Sequence, residues 1–183
     1  MNCKKIVIAV ALLFITANFA FSQSAFYFLN LNTSARTAAL GGAAVSLPEE
    51  GSAIFINPAI LSTVDDRRLS ATFLKHVLDI NSGLVTYSST NESIGHYAIS
   101  ALYTSNGTFQ GADAKGVKTT SFSGNELALS GTYSHALDSN FFYGATLKFI
   151  YSGLEQTSST AIAVDAGLLY QIPKSRVNIG FSL

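Results

Sequence analysis

The chain has 183 residues, and its 11 Lys and Arg are balanced by 11 Asp and Glu. These charges are scattered, so there is no basic stripe for nucleic acid. The single cysteine, Cys3, lies ahead of an apolar run near the start, so the rest of the chain has no disulfide, thiol nucleophile or cysteine metal site.

Residues 1–22 read as a cleavable signal peptide. Lys4 and Lys5 form the positive region, residues 6–17 the apolar region, and Ala20 and Ser22 supply the small residues a signal peptidase reads. The cut is expected after Ser22. The apolar run is too short for a transmembrane anchor, and no charge cluster follows to stop transfer. Cys3 precedes the apolar region and cannot be the acylated first residue of a lipoprotein.

Residues 23–64 are the part least like a β-strand and are expected to form a plug-like segment with short helices. Phe26-Tyr27-Phe28-Leu29 is an aromatic opening. Thr33 or Ser34 caps a short Ala-rich helix that Gly41 ends. Residues 43–47 suit a short strand. Asn57-Pro58-Ala59 marks a second helix start, since Pro is favoured in a first turn. The spacing around Gly41-Gly42 matches neither the dinucleotide fingerprint nor the P-loop, so a tight turn with positive φ is expected there. Arg36 suits an anion or, more in keeping with a lone Arg facing a barrel lumen, a carboxylate partner.

From residue 65 onward the pattern is alternation. Its clearest instance is 141–152, with Phe141, Tyr143, Ala145, Leu147, Phe149 and Tyr151 on one face and Gly144, Thr146, Lys148 and Ser152 on the other. Segments 126–136, 159–172 and 177–183 repeat it, 94–104 less cleanly, and 69–76 and 83–88 are weaker strands. Residues 137–140 and 173–176 read as tight turns, 105–125 as a long polar loop with four glycines, and 152–158 as an intermediate connection. Outer-membrane barrels have short periplasmic turns and longer extracellular loops, which would turn 105–125 and 152–158 outward.

A secreted β-sandwich also alternates. Soluble strands, however, average about five or six residues, whereas these run to ten or more, and the small face lacks the Lys and Glu of a solvated surface. No apolar run after residue 22 is long enough for a membrane helix. The expected fold is therefore all-β, an antiparallel transmembrane β-barrel of outer-membrane type. Alternation places Lys148 and Asp165 on the lumenal face, where contact between them is expected. About seven strands are visible, while single-chain bacterial barrels usually have an even number from 8 upward. Residues 65–183 are thus expected to be the N-terminal part of a barrel, in a chain truncated from a longer one.

The string Phe28-Leu29-Asn30-Leu31-Asn32-Thr33-Ser34-Ala35-Arg36-Thr37-Ala38-Ala39-Leu40-Gly41-Gly42 and the motif Asn57-Pro58-Ala59 resemble the start of the PorV/PorQ family of the type IX secretion system. Further similarity lies at 107–109, 121–130, 154–159 and 164–167, in matching order and spacing. The resemblance implies a fatty-acid-channel-like barrel of about fourteen strands, of which this chain would hold the N-terminal half. It implies a non-enzymatic component of the Bacteroidota secretion apparatus, in the outer membrane. The partners implied are PorU, PorV and PorZ, in a complex that processes cargo and links it to surface lipopolysaccharide.

The catalytic motifs sought are absent: there is no Gly-x-Ser-x-Gly elbow, no Ser-x-x-Lys and no His-Glu-x-x-His. His76, His96 and His135 are far apart, and His135 reads as a turn or rim residue. No cofactor or metal is expected. The alternative function is passive transport of hydrophobic compounds, which requires a continuous apolar lumen or a lateral opening.

Overall fold

The computed structural model describes residues 26–32, 34–91, 93–112, 115–155 and 157–183. The signal peptide, its cut after Ser22, Cys3 and the alternative cap Thr33 lie outside them. Seven strands follow one another as an antiparallel meander: β1 (Arg68–Lys75), β2 (Asn81–Asn91), β3 (Gly95–Ala112), β4 (Lys118–Ala136), β5 (Phe141–Leu154), β6 (Thr157–Gln171) and β7 (Asn178–Ser182). The sheet is curled like half a barrel, and β1 and β7 pair on one side only. Among the described residues no helix is long and apolar enough to cross a membrane.

The polarity of this sheet is inverted relative to a water-soluble one. Its convex face carries Leu69, Phe73, Val85, Ile99, Leu129, Leu147, Phe149, Ile162, Val164 and Phe181, all exposed, with Phe73 at 73%. Its concave face carries buried Ser82, Thr86, Ser100, Thr104, Ser130, Thr132, Ser134, Thr146 and Lys148. Strand register arranges the concave side chains in rows across the sheet. Leu84, Leu102, Ala128, Ile150 and Ala161 make one apolar row. A polar row, Ser82, Thr104, Glu126, Ser152 and Ser159, lies on one side of it. On the other side lie Thr86, Ser100, Ser130 and Lys148, then Ser88, Ala98, Thr132, Thr146 and Asp165. The next row begins with Thr90 and His96, and its continuation, Ser134, Gly144, Gly167 and Ser182, has almost no side chain.

Residues 26–64 fill the concave side. Phe28 and Phe55 pack on the apolar row with Leu84, Leu102 and Ile150. Ile54, Ala59, Ile60 and Leu61 form a second cluster with Ala98, Phe142 and Leu169. The segment is built of single turns: 3-10 turns at Tyr27–Asn30, Gly51–Phe55 and Pro58–Thr63, and one short helix, α1 (Ala35–Ala39). Ser34 caps α1 reciprocally, its Oγ accepting from the Thr37 N–H at 3.1 Å while Thr37 Oγ1 accepts from the Ser34 N–H at 3.2 Å. Gly41 (φ 63°) and Gly42 (φ 85°) end it, their N–H groups reaching Ala38 O and Thr37 O at 3.0 and 2.9 Å, which is a Schellman closure.

Three expectations require correction. Residues 152–158 are not an intermediate connection: Ser152, Gly153 and Leu154 pair with Ser159, Ser158 and Thr157, so β5 and β6 run on through most of it. Residues 105–112 and 118–125 are strand rather than loop. β3 and β4 run on past their neighbours, with Phe109 opposite Phe122 and their rings stacked at 5.5 Å. β2 reaches only as far as Ser105, and β5 only as far as Gly124, so the remainder projects as a two-stranded ribbon. Gly107 (φ 73°) and Gly111 sit at register shifts in this ribbon, so they mark bulges rather than loop. Residues 43–47 are likewise not a strand. Their backbone bonds are local turns, Ala44 N to Gly42 O and Leu47 N to Ala44 O, and the Val45 carbonyl is taken by the Asn57 side chain.

Candidate functional site

The concave side brings together most of the residues that the sequence singled out, in two places. The first is the row of glycines. Asn57 is fully buried and caps the turn Pro58–Thr63, its Oδ1 accepting from the Ala59 N–H at 3.0 Å. Its Nδ2 donates to Val45 O at 2.7 Å and to Leu168 O, on β6, at 3.1 Å. One amide thus closes its own turn, ties it to 43–47 and bonds it to the wall. Pro58 begins the turn without an N–H to leave unpaired.

This approach depends on absent side chains. A Cβ on Gly144 would come within 2.6 Å of the Pro58 carbonyl carbon. One on Gly167 would collide with Asn57 Oδ1, and one on Gly180 with Val45 O. Gly144 and Gly167 are direct partners across β5 and β6. Serines complete the attachment: Ser182 Oγ donates to Ile56 O at 2.8 Å, and Ser62 Oγ and Ser134 Oγ share a hydrogen bond at 2.7 Å. Sequence reasoning singled out Asn57, Pro58 and Ala59 but missed their receptors on the wall. The only signal was glycine at a core-facing position in two adjacent strands.

The second place is a buried charge pair. Lys148 Nζ lies 2.6 Å from Asp165 Oδ2, with side-chain exposures of 9% and 20%. The ammonium also donates to Phe55 O at 3.2 Å and sits 4.1 Å from the centre of the Phe55 ring. It therefore faces a carboxylate, a carbonyl and an aromatic face at once, an arrangement suited to a cation withdrawn from water.

Arg36 is apart from both, on the exposed side of α1, and pairs with Glu50 at 3.2 Å. Burial raises the Glu50 carboxyl, but the Ser52 hydroxyl and N–H, together with the Arg36 guanidinium, outweigh it and hold Glu50 below its ordinary value. Gly41 and Gly42 serve the end of α1. His76 bonds Ser82, His96 bonds Thr90 Oγ1 at 2.9 Å, and His135, one register step from His96 on the paired strand, sits edge-on to Tyr143. Among the described residues no three His, Cys, Asp or Glu side chains gather as a metal site.

What the two places on the concave side do chemically is attach and neutralise. No protein-family model matches the chain, and no curated protein matches it.

Proposed function

We propose that this chain forms wall and plug of an outer-membrane β-barrel that acts as a non-enzymatic scaffold in the cell-surface attachment complex of type IX secretion. One observation carries the membrane part: the outer face of the sheet is continuously apolar, while the inner face holds Ser, Thr and an ion pair. Water would reverse that distribution; lipid requires it. Tyrosines bracket the aliphatic rows as a pair of girdles would. Tyr103 and Tyr151 share one row with Leu127, and Tyr97 and Tyr133 pair further down. On β5, Tyr143 and Tyr151 are eight residues apart, ~27 Å along a strand and about 20 Å along the membrane normal at the tilt of such barrels, somewhat inside their ~25 Å apolar band.

In this reading the outer edges of β1 and β7 pair with further strands, because an unpaired edge in lipid costs several kcal/mol per backbone group. The projecting ribbon of β3 and β4 stands on the extracellular side and is the docking surface, and the turns at 137–140 and 173–176 face the periplasm. The scaffold part rests on the family resemblance and on the filled concave side. A plugged interior lined by polar rows weighs against the alternative, passive passage of hydrophobic compounds.

Two measurements test the proposal. The protein is expected in the outer-membrane fraction, released only by detergent; release by a salt wash sinks the membrane reading. Replacing 106–123 by a short turn is expected to leave the barrel inserted but to lose co-purification of PorU, PorV and PorZ. Retained partners refute the docking role.

A further inference from the structure

A cavity of about 360 Å³ lies between 29–32 of the N-terminal segment and the inner face of β6 and β7. That volume is within the ~300–1,000 Å³ typical of small-molecule sites. Its walls are of two kinds. Leu29, Leu31 and Ile56 supply apolar surface. Asn30, Asn32 and Asp165 supply polar groups.

The charges of the cavity cancel. Lys148 and Asp165, 2.6 Å apart, are the only ionisable side chains among the described residues that line it, so these side chains favour neither an anion nor a cation. Lys148 is also committed to Phe55, through both its carbonyl and its ring. A divalent metal ion among these oxygens would face the Lys148 ammonium directly. The polar groups that remain are neutral or neutralised, and they are free. The side-chain amides of Asn30 and Asn32 bond no other described residue, nor does Asp165 Oδ1. Two carboxamides provide four donors and two acceptors, and the carboxylate oxygen adds another acceptor.

We infer that this cavity binds a neutral sugar. A pyranose ring presents hydroxyls that donate and accept along its edge and a C–H face that lies on apolar surface. Side-chain amides and a carboxylate oxygen beside Leu and Ile match both, and the cancelled charge admits a ligand with none of its own. The cavity is a property of these residues and does not require the barrel reading. The same sugar can come free or as a glycolipid head group.

The test uses the whole chain in a detergent without a sugar head. Neutral methyl glycosides, and the matching neutral glycolipids in mixed micelles, are screened by saturation-transfer NMR. Transfer to at least one neutral sugar is expected, and the tighter-bound form identifies the source. Asn32→Leu and Asn30→Leu are each expected to weaken binding about fivefold through lost hydrogen bonds. Asn30 is exposed, so its replacement leaves the fold intact even if that of Asn32 does not. No transfer to any neutral sugar, preference for charged sugars, or unchanged affinity in the Asn30 variant overturns the inference. Because membrane fractionation does not depend on this site, its outcome is separate from that of the scaffold proposal.

Discussion

Lys148 Nζ lies 2.6 Å from Asp165 Oδ2, on the adjacent strand and in the adjacent row. The pair does two jobs for the N-terminal segment. It offers Phe55 a cation for both its carbonyl and its ring, and its own two charges cancel.

Removing one member leaves the other buried and unpaired. Asp165→Ala is expected to destabilise the protein by about 3–5 kcal/mol, whereas Lys148→Met with Asp165→Leu recovers most of that loss. Denaturant unfolding of Lys148→Met, Asp165→Leu and the double variant, read as a cycle, measures the coupling. A single Asp165→Ala variant as stable as the parent contradicts the geometry.

The glycines differ by face. Gly144→Ala is expected to unseat the turn at Pro58, costing about 1–3 kcal/mol by overpacking. A Cβ on Gly131, on the convex face, meets nothing within 4 Å, so Gly131→Ala is expected to be neutral or slightly stabilising. Thermal unfolding of the two variants side by side is the measurement.

Asn57→Leu keeps the volume but removes three hydrogen bonds. Two part-buried carbonyls and one buried N–H lose this partner, the N–H at about 1–3 kcal/mol and the carbonyls at less. Limited proteolysis is expected to cut 43–64 faster in the variant while the strands stay resistant.

On the convex face the cost of a charge depends on what surrounds it. Leu147→Arg is expected to destabilise by about 2–4 kcal/mol if lipid covers that face, and to be close to neutral if water does. Folding measured in bilayers separates the two.

Acid should loosen α1. The folded Glu50 carboxyl titrates below its ordinary value of 4.5, so its contribution is present above that pH and is lost as pH falls through the lower, folded value. The loss is small because Arg36 is largely exposed. Glu50→Gln is expected to abolish the change, which amide hydrogen exchange in 35–42 reports.

Where each residue touches only its strand neighbours, the sequence could be read. Parity alone put Lys148 and Asp165 on one face. Ser34 and Gly41-Gly42 announced the ends of α1 because capping is local. The ribbon at 106–123 was missed because two bulges break the period of two, and glycine at a bulge looks like glycine in a loop. The role of Gly144, Gly167 and Gly180 was illegible for another reason. A glycine in a strand shows that something approaches, but what approaches comes from 111 residues away for the bond between Asn57 and Leu168.

Those separations also order the assembly. Each strand of the meander pairs with the one made just before it, so the wall grows by neighbours. The bonds holding the N-terminal segment span 93 residues to Lys148, 111 to Leu168 and 126 to Ser182. Loop closure over such distances follows local pairing. On that ordering the N-terminal segment seats after the wall it bonds to, and its docking reports that β5, β6 and β7 are already in register.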